Sequence, residues 1–359
     1  MTNSHGPNSA QTVIDWDKLE YLSSYLSRSG REPGTVPDSE WQIIEQALSA
    51  LDNEQNWSGI LRLRAIFTPL YARDTVTGLA ALQLLDQHAI QAARYSGDKS
   101  ELGHILGSKG HNLHRQGYHQ DAINAFEESA HYYREAGKDF EALQSYYMTS
   151  LCYRALGKRD EAKQILATVL NQTDPGDPWR ANPLQVMAWL FQDEGNLEKS
   201  EKLLQQALNL YRQTSDSDML IVGALADFGE IADILGHTHE AREFFEESLL
   251  ILAKHQGQYD RQEARTLLKY CEYLIHQKDY LTAMKLLNRA DDKVSRYGHY
   301  YDLLWQIELA KALIYLLEGH IYYCLTKIRS VFRIRRHLGL PNRWLVRHVL
   351  NRFARRLLG

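Results

Sequence analysis

Two sets of side chains in this sequence have types and spacings that chemistry could use. His104, His111 and His114 recur at intervals of seven and three. At 100° per helical residue they fall within about 80° of one another on one face. Imidazoles so placed could share a metal ion, respond to pH near neutrality or hold an anion. Only His111 and His114 are close enough for one ion, because His104 lies about 10 Å further along the axis. No nearby Cys or acidic residue completes a set at a recognised ligand spacing. An ordinary solvated face is the alternative, and neither a metal nor any other cofactor is expected.

Asp227, Glu230 and Asp233 follow one another at three-residue intervals. Paired carboxylates can do general acid and base work when a buried pocket splits their pKa values. An open helical face seldom supplies such a pocket, which leaves docking of a basic partner or plain solvation. The sequence contains no P-loop, HExxH, GxSxG or dinucleotide fingerprint. Gly103, Gly107 and Gly110 fall inside a helical stretch and do not follow a strand. No enzyme is expected, and no catalytic residue is assigned.

The elements that must position these side chains recur along the chain. Turn residues Gly117, Gly157, Gly195, Gly236, Lys278 and Gly319 stand about 38 to 42 residues apart. Five positions after each comes a small residue: Ala122, Ala162, Ser200, Ala241, Ala283 and Cys324. Four later comes a bulky one, Phe126, Leu166, Leu204, Phe245, Leu287 or Ile328, and three later again a short one, from Ser129 to Val331. Seven positions before each turn sits another compact residue: Gly110, Ser150, Ala188, Gly229, Cys271 and Ala312. Small residues let two helices approach closely, and the bulky residue fills the groove between them. Each unit therefore reads as helix A, a tight turn and helix B.

This pattern resembles the tetratricopeptide repeat, with a small residue in helix A, a turn Gly and an Ala–aromatic–Ala ladder in helix B. The period is longer than the usual unit of about 34 residues, and the closing Pro of the family is missing. The resemblance implies an all-α, right-handed α-solenoid, or superhelix, whose concave groove is lined mainly by helix A. Carried over by register, the groove positions are His104, His111, His114, Tyr147, Arg154, Gln185, Trp189, Gln192, Glu230, Asp233, Arg265 and Glu272. That lining runs from cationic or neutral to acidic, which suits a polar peptide or an extended partner segment. Similar long repeats occur in kinesin light chains and bacterial peptide-sensing regulators, so the expectation is a non-enzymatic adaptor or regulator of bacterial type.

The domain reading is a disordered N-terminus over 1–12, a capping helix pair over 13–56, about seven repeats over 57–338 and a basic helix over 339–359. Asp15 should cap the first helix, and Asp38 or Ser39 the second. A small DNA-reading module is the rival reading of this pair, although the second helix is acidic. The first repeat, over 57–96, is degenerate: Ala81, Leu85 and Ala89 fit its helix B, but the turn around Arg73–Thr77 lacks its Gly.

With 359 residues and 44% hydrophobic content the chain can bury an ample core. No apolar run approaches the roughly 20 residues of a membrane span. No signal peptide and no disulfide framework are expected, so the cytoplasm is the sensible compartment. Charge is strongly polarised. After Glu318 come Lys327, Arg329, Arg333, Arg335, Arg336, Arg343, Arg347, Arg352, Arg355 and Arg356 with no acidic residue, about +10 against a whole-chain net of −4. These cations could solubilise a capping helix, contact the phosphates of a nucleic acid, or dock on an acidic protein, including the acidic body of a second copy.

Overall fold

The computed structural model describes residues 14–29, 38–71, 79–115, 118–214, 217–255, 259–295 and 301–337, and all their regular structure is helical. Expectations for residues 1–12, Gly117, the turn around Arg73–Thr77, and the basic helix with Arg343, Arg347, Arg352, Arg355 and Arg356 lie outside the described residues. The chain divides into two compact units, residues 1–105 and 106–359.

The first unit holds α1 (Trp16–Ser29), α2 (Asp38–Asn53), α3 (Trp57–Tyr71) and α4 (Leu79–Ser96). Asp15 caps α1 as expected, its Oδ1 accepting the Lys18 N–H at 3.0 Å. Both α1 and α2 pack on α3, and α2 also packs on α4. Arg64, 1% exposed, donates to Asp86 at 3.1 Å inside this unit. A guanidinium buried this deeply persists only with such an anionic partner.

The unit boundary falls within α5 (Lys99–Arg115). The second unit continues with the B helix α6 (His119–Glu135) and then four further hairpins. These are α7 (Asp139–Ala155) with α8 (Arg159–Asn171), α9 (Ala181–Asp193) with α10 (Leu197–Tyr211), α11 (Asp218–Ile234) with α12 (Thr238–Lys254), and α13 (Asp260–His276) with α14 (Tyr280–Ser295). A fifth, α15 (Tyr301–Leu317) with α16 (Ile321–His337), closes the described part. Neighbouring A helices pack side by side, α7 on α9, α11 on α13 and α13 on α15. The second unit is an α-solenoid of helical hairpins.

The turn residues do what their spacing requires. Gly157, Gly195, Gly236 and Gly319 have φ between 76 and 81°, and Lys278 adopts the same left-handed region at 61°. The residue after each sends its N–H back to the carbonyl five positions earlier, for example Asp279 to Leu274 at 2.9 Å and His237 to Ala232 at 2.8 Å. This is the Schellman closure of a helix end, which wants glycine at the left-handed position.

The ladder residues form the contact between A and B helices. Ala162, Ser200, Ala241 and Ala283 are fully buried, as are Leu166, Leu204, Phe245 and Leu287. The compact A-helix residue varies with the bulky one it faces. A Cβ at Gly229 would come within 2.8 Å of the Phe245 ring, and one at Gly110 within 2.8 Å of Phe126. Where helix B carries Leu166, Leu204 or Leu287, the matching residue is Ser150, Ala188 or Cys271. The volume is conserved across the pair, as close packing demands.

Candidate functional site

Helix α11 is apolar around most of its circumference, with Val222, Leu225, Phe228 and Ile231 buried. Within it Asp227 is only 2% exposed. A carboxylate at such a depth requires donors, and three side chains supply them. Gln185 and Trp189, one turn apart on α9, donate Nε2–H and Nε1–H to Oδ2, each at 2.7 Å. The Lys269 ammonium on α13 donates to Oδ1 at 2.5 Å and to Glu230 Oε2 at 2.7 Å. Burial works against the charge on Lys269, but Asp227 and Glu230 outweigh it and its pKa is raised.

The node extends in both directions. On α10 the buried Tyr211 hydroxyl reaches Gln185 Oε1 at 3.1 Å and Asn182 Oδ1 at 3.2 Å, fixing the amide that donates to Asp227. On α7, Arg154 binds Asp193 at 3.1 Å and lies 5.1 Å over the Trp189 ring. Tyr147, also on α7, is half-buried and packs edge-on against Trp179 of the 3₁₀ turn between α8 and α9 at 5.8 Å. Burial pushes the Tyr147 hydroxyl up to about 12, and Arg265, carried three hairpins later on α13, pulls the other way. Side chains of α7, α9, α11 and α13 therefore converge on one polar set that can hold both donors and acceptors in place.

The expected groove residues divide by this geometry. Tyr147, Arg154, Gln185, Trp189, Glu230 and Arg265 surround the node, whereas Gln192 is only half-buried beside it in sequence. Asp233 is engaged by His276 at 2.5 Å. Glu272, at 5% exposure, is more deeply buried than these and presents little surface. The acidic triplet is already paired within the chain, Asp227 and Glu230 with Lys269 and Asp233 with His276. Sequence reasoning missed Lys269, Tyr211 and Trp179. Lys269 stands one helical turn after Arg265, on the stripe already in view, and that spacing was the available signal.

The histidines rearrange more thoroughly. His104 lies in the first unit and is exposed. His111 packs edge-on against Phe126 at 5.1 Å. His114 faces Cys152 of α7, Nδ1 to Sγ 3.2 Å, and its ring centroid is 5.0 Å from that of His119 at the start of α6. Cys152 comes to His114 from the next repeat, across 38 residues, a separation outside any recognised ligand spacing in sequence. Burial pushes its thiol up to about 12 and lowers His119.

On α16, Arg329 and Arg333 are exposed, while the Arg336 side chain lies outside the described residues. Tyr322, Leu325 and Phe332 on the same helix are exposed as well. No helix among the described residues is long and apolar enough to cross a membrane.

A tetratricopeptide repeat family model matches residues 141–213. No curated protein matches the sequence. Among solved structures, aspartyl phosphate phosphatase F from Bacillus subtilis superposes with a TM-score of 0.60 at 12% identity, over 94% of this chain and 98% of that one. NprR in complex with its cognate peptide NprX gives 0.58 at 16% identity, over 89% of each chain. A Rap protein complexed with competence and sporulation factor gives 0.56 at 13% identity, over 90% and 98%. At these identities the likeness is one of fold. The sequence matches the tetratricopeptide repeat over residues 141–213, and the chain shares the helical-repeat fold of these solved structures.

Proposed function

We propose that the protein is a non-enzymatic adaptor or regulator whose A-helix face binds an extended polar peptide or partner segment. The observation that carries this reading is the node on Asp227. Its hydrogen bonds and ion pairs hold the half-buried Trp189, Glu230 and Lys269 in fixed positions, so a ligand meets a preorganised surface and loses less side-chain entropy on binding. Arg154 and Arg265 flank it and suit carboxylates or main-chain carbonyls. Two solved proteins of the same fold carry peptides or signalling factors by name, which supports the reading by analogy of fold alone. The cytoplasm is the compartment it implies.

The test is selection of binders from a random displayed-peptide library on the full chain, followed by calorimetric titration. Trp189→Ala and Arg265→Ala should each weaken the selected peptide at least tenfold. Equal affinity in both variants would place the binding elsewhere and overturn the reading.

A second reading rests on α16, where Arg329 and Arg333 share an exposed face with Tyr322 and Leu325. Here the arginine-rich end contacts the phosphates of a nucleic acid. Duplex DNA affinity should then fall with salt at a log–log slope of about −0.9 per phosphate contact, and become weaker and flatter in an Arg329→Glu, Arg333→Glu variant. A slope near zero would sink this second reading.

A further inference from the structure

Outside the Asp227 node, one cluster of the second unit has ligand chemistry without an assigned role. His114 near the end of α5, His119 at the start of α6 and Cys152 on α7 place one ligand-capable atom each within 4.8 Å of one another. No hydrogen bond within one helix explains this, since the three come from three helices and two repeats.

We propose that His114, His119 and Cys152 form a site for a borderline-soft divalent cation of the zinc class. Two imidazoles and one thiolate are a ligand set that zinc accepts, with a fourth tetrahedral position left for water or a ligand. The separations agree. Bonds of about 2.3 Å to sulfur and 2.0–2.1 Å to nitrogen put tetrahedral sulfur and nitrogen about 3.5 Å apart, and Cys152 Sγ stands 3.2 Å from His114 Nδ1.

A second observation points the same way. The Nδ1 of His119 is buried and has no hydrogen-bond partner. Buried ring nitrogens are normally satisfied, and an imidazole that ligates through one nitrogen commonly donates from the other to an outer partner. His119 offers a nitrogen whose demand nothing among the described residues meets. On binding, the Cys152 thiol proton passes to solvent, the sulfur lone pair forms the metal–sulfur bond, and no redox change occurs. Because α5, α6 and α7 each give one ligand, the cation would tie successive repeats together.

The experiment uses the full chain without an affinity tag, freed of metal by chelator. Zn²⁺ is titrated against a competing chromophoric chelator, and Co²⁺ is followed by absorbance. One equivalent of Zn²⁺ should bind, and the Co²⁺ form should show a thiolate-to-cobalt charge-transfer band in the near ultraviolet. Cys152→Ser should abolish that band and weaken Zn²⁺ at least a hundredfold, and His119→Gln should weaken it at least tenfold. His104→Gln should leave both readings unchanged. Because Cys152 is fully buried and its variant could unfold, His119→Gln at a half-exposed position keeps the test decisive. Unchanged Zn²⁺ affinity in His119→Gln, a cobalt spectrum without the thiolate band, or no stoichiometric binding would overturn the proposal.

Discussion

Asp227 Oδ1 and the Lys269 ammonium lie 2.5 Å apart although 42 residues separate them in sequence. The contact joins α11 to α13 across consecutive repeats, so it fixes how two A helices stand side by side. Removing one member of a buried pair leaves the other uncompensated, which costs about 3–5 kcal/mol. Lys269→Met should therefore lower the stability measured by chemical denaturation by about that amount. Adding Asp227→Leu should recover only part of the loss, because the unpaired charge is gone but the buried Gln185 amide and the Trp189 indole N–H lose their acceptor. A loss below about 1 kcal/mol in the single variant would mean that the pair does not fix this repeat interface.

Gly229 and Phe245 make the second testable pair. A Cβ at Gly229 would enter the Phe245 ring at 2.8 Å, and overpacking of this kind costs about 1–3 kcal/mol. Gly229→Ala should therefore destabilise by that amount. In the repeats with leucine at the bulky position, Ser150, Ala188 and Cys271 are tolerated, so Phe245→Leu should partly rescue Gly229→Ala in a double-mutant cycle. Additive losses would mean that the two positions do not share one volume.

Most of the solenoid could be read from the chain because the A and B helices of a hairpin touch through residues at fixed short separations. The turn at Gly195 and the contact of Ala241 with its partner helix repeat at one offset, and repetition makes them visible. The Asp227 node is another matter. Its partners Gln185, Trp189 and Lys269 lie 38 to 42 residues away, and each repeat uses different residues there, so no period betrays them. The same holds for Cys152, which reaches His114 across 38 residues. Register from the tetratricopeptide ladder placed Tyr147, Trp189, Arg265 and Glu272 alike on the A helices, but it could not tell that Glu272 would be only 5% exposed.

Lys278 occupies the position where the other described repeats carry glycine, with φ of 61°. A side chain in this left-handed region costs roughly 1–2 kcal/mol, while glycine carries an unfolded-state entropy penalty of roughly 0.5–1 kcal/mol. Lys278→Gly should therefore raise the stability by about 0.5–1 kcal/mol, seen as a higher denaturation midpoint with an unchanged slope. A lower midpoint would show that the lysine makes a compensating contact at this turn.

Asp279, the next residue, caps α14: its Oδ1 accepts the Thr282 N–H at 3.1 Å. That backbone hydrogen bond, followed by one from the Thr282 hydroxyl, holds the carboxyl below its usual value. A depressed folded-state pKa means that the added stability is fully present above the unfolded value of about 3.9 and is lost as pH falls through the folded value. Asp279→Ala should cost about 0.5–2 kcal/mol near neutral pH. Asp279→Asn should cost little there, because an amide oxygen caps about as well, yet it cannot be protonated in this range. The difference between wild type and Asp279→Asn, measured by urea denaturation at pH 7, 5 and 3.5, should then shift in favour of the asparagine variant only at the lowest pH. A constant difference across that range would show that the cap does not depend on the carboxylate charge.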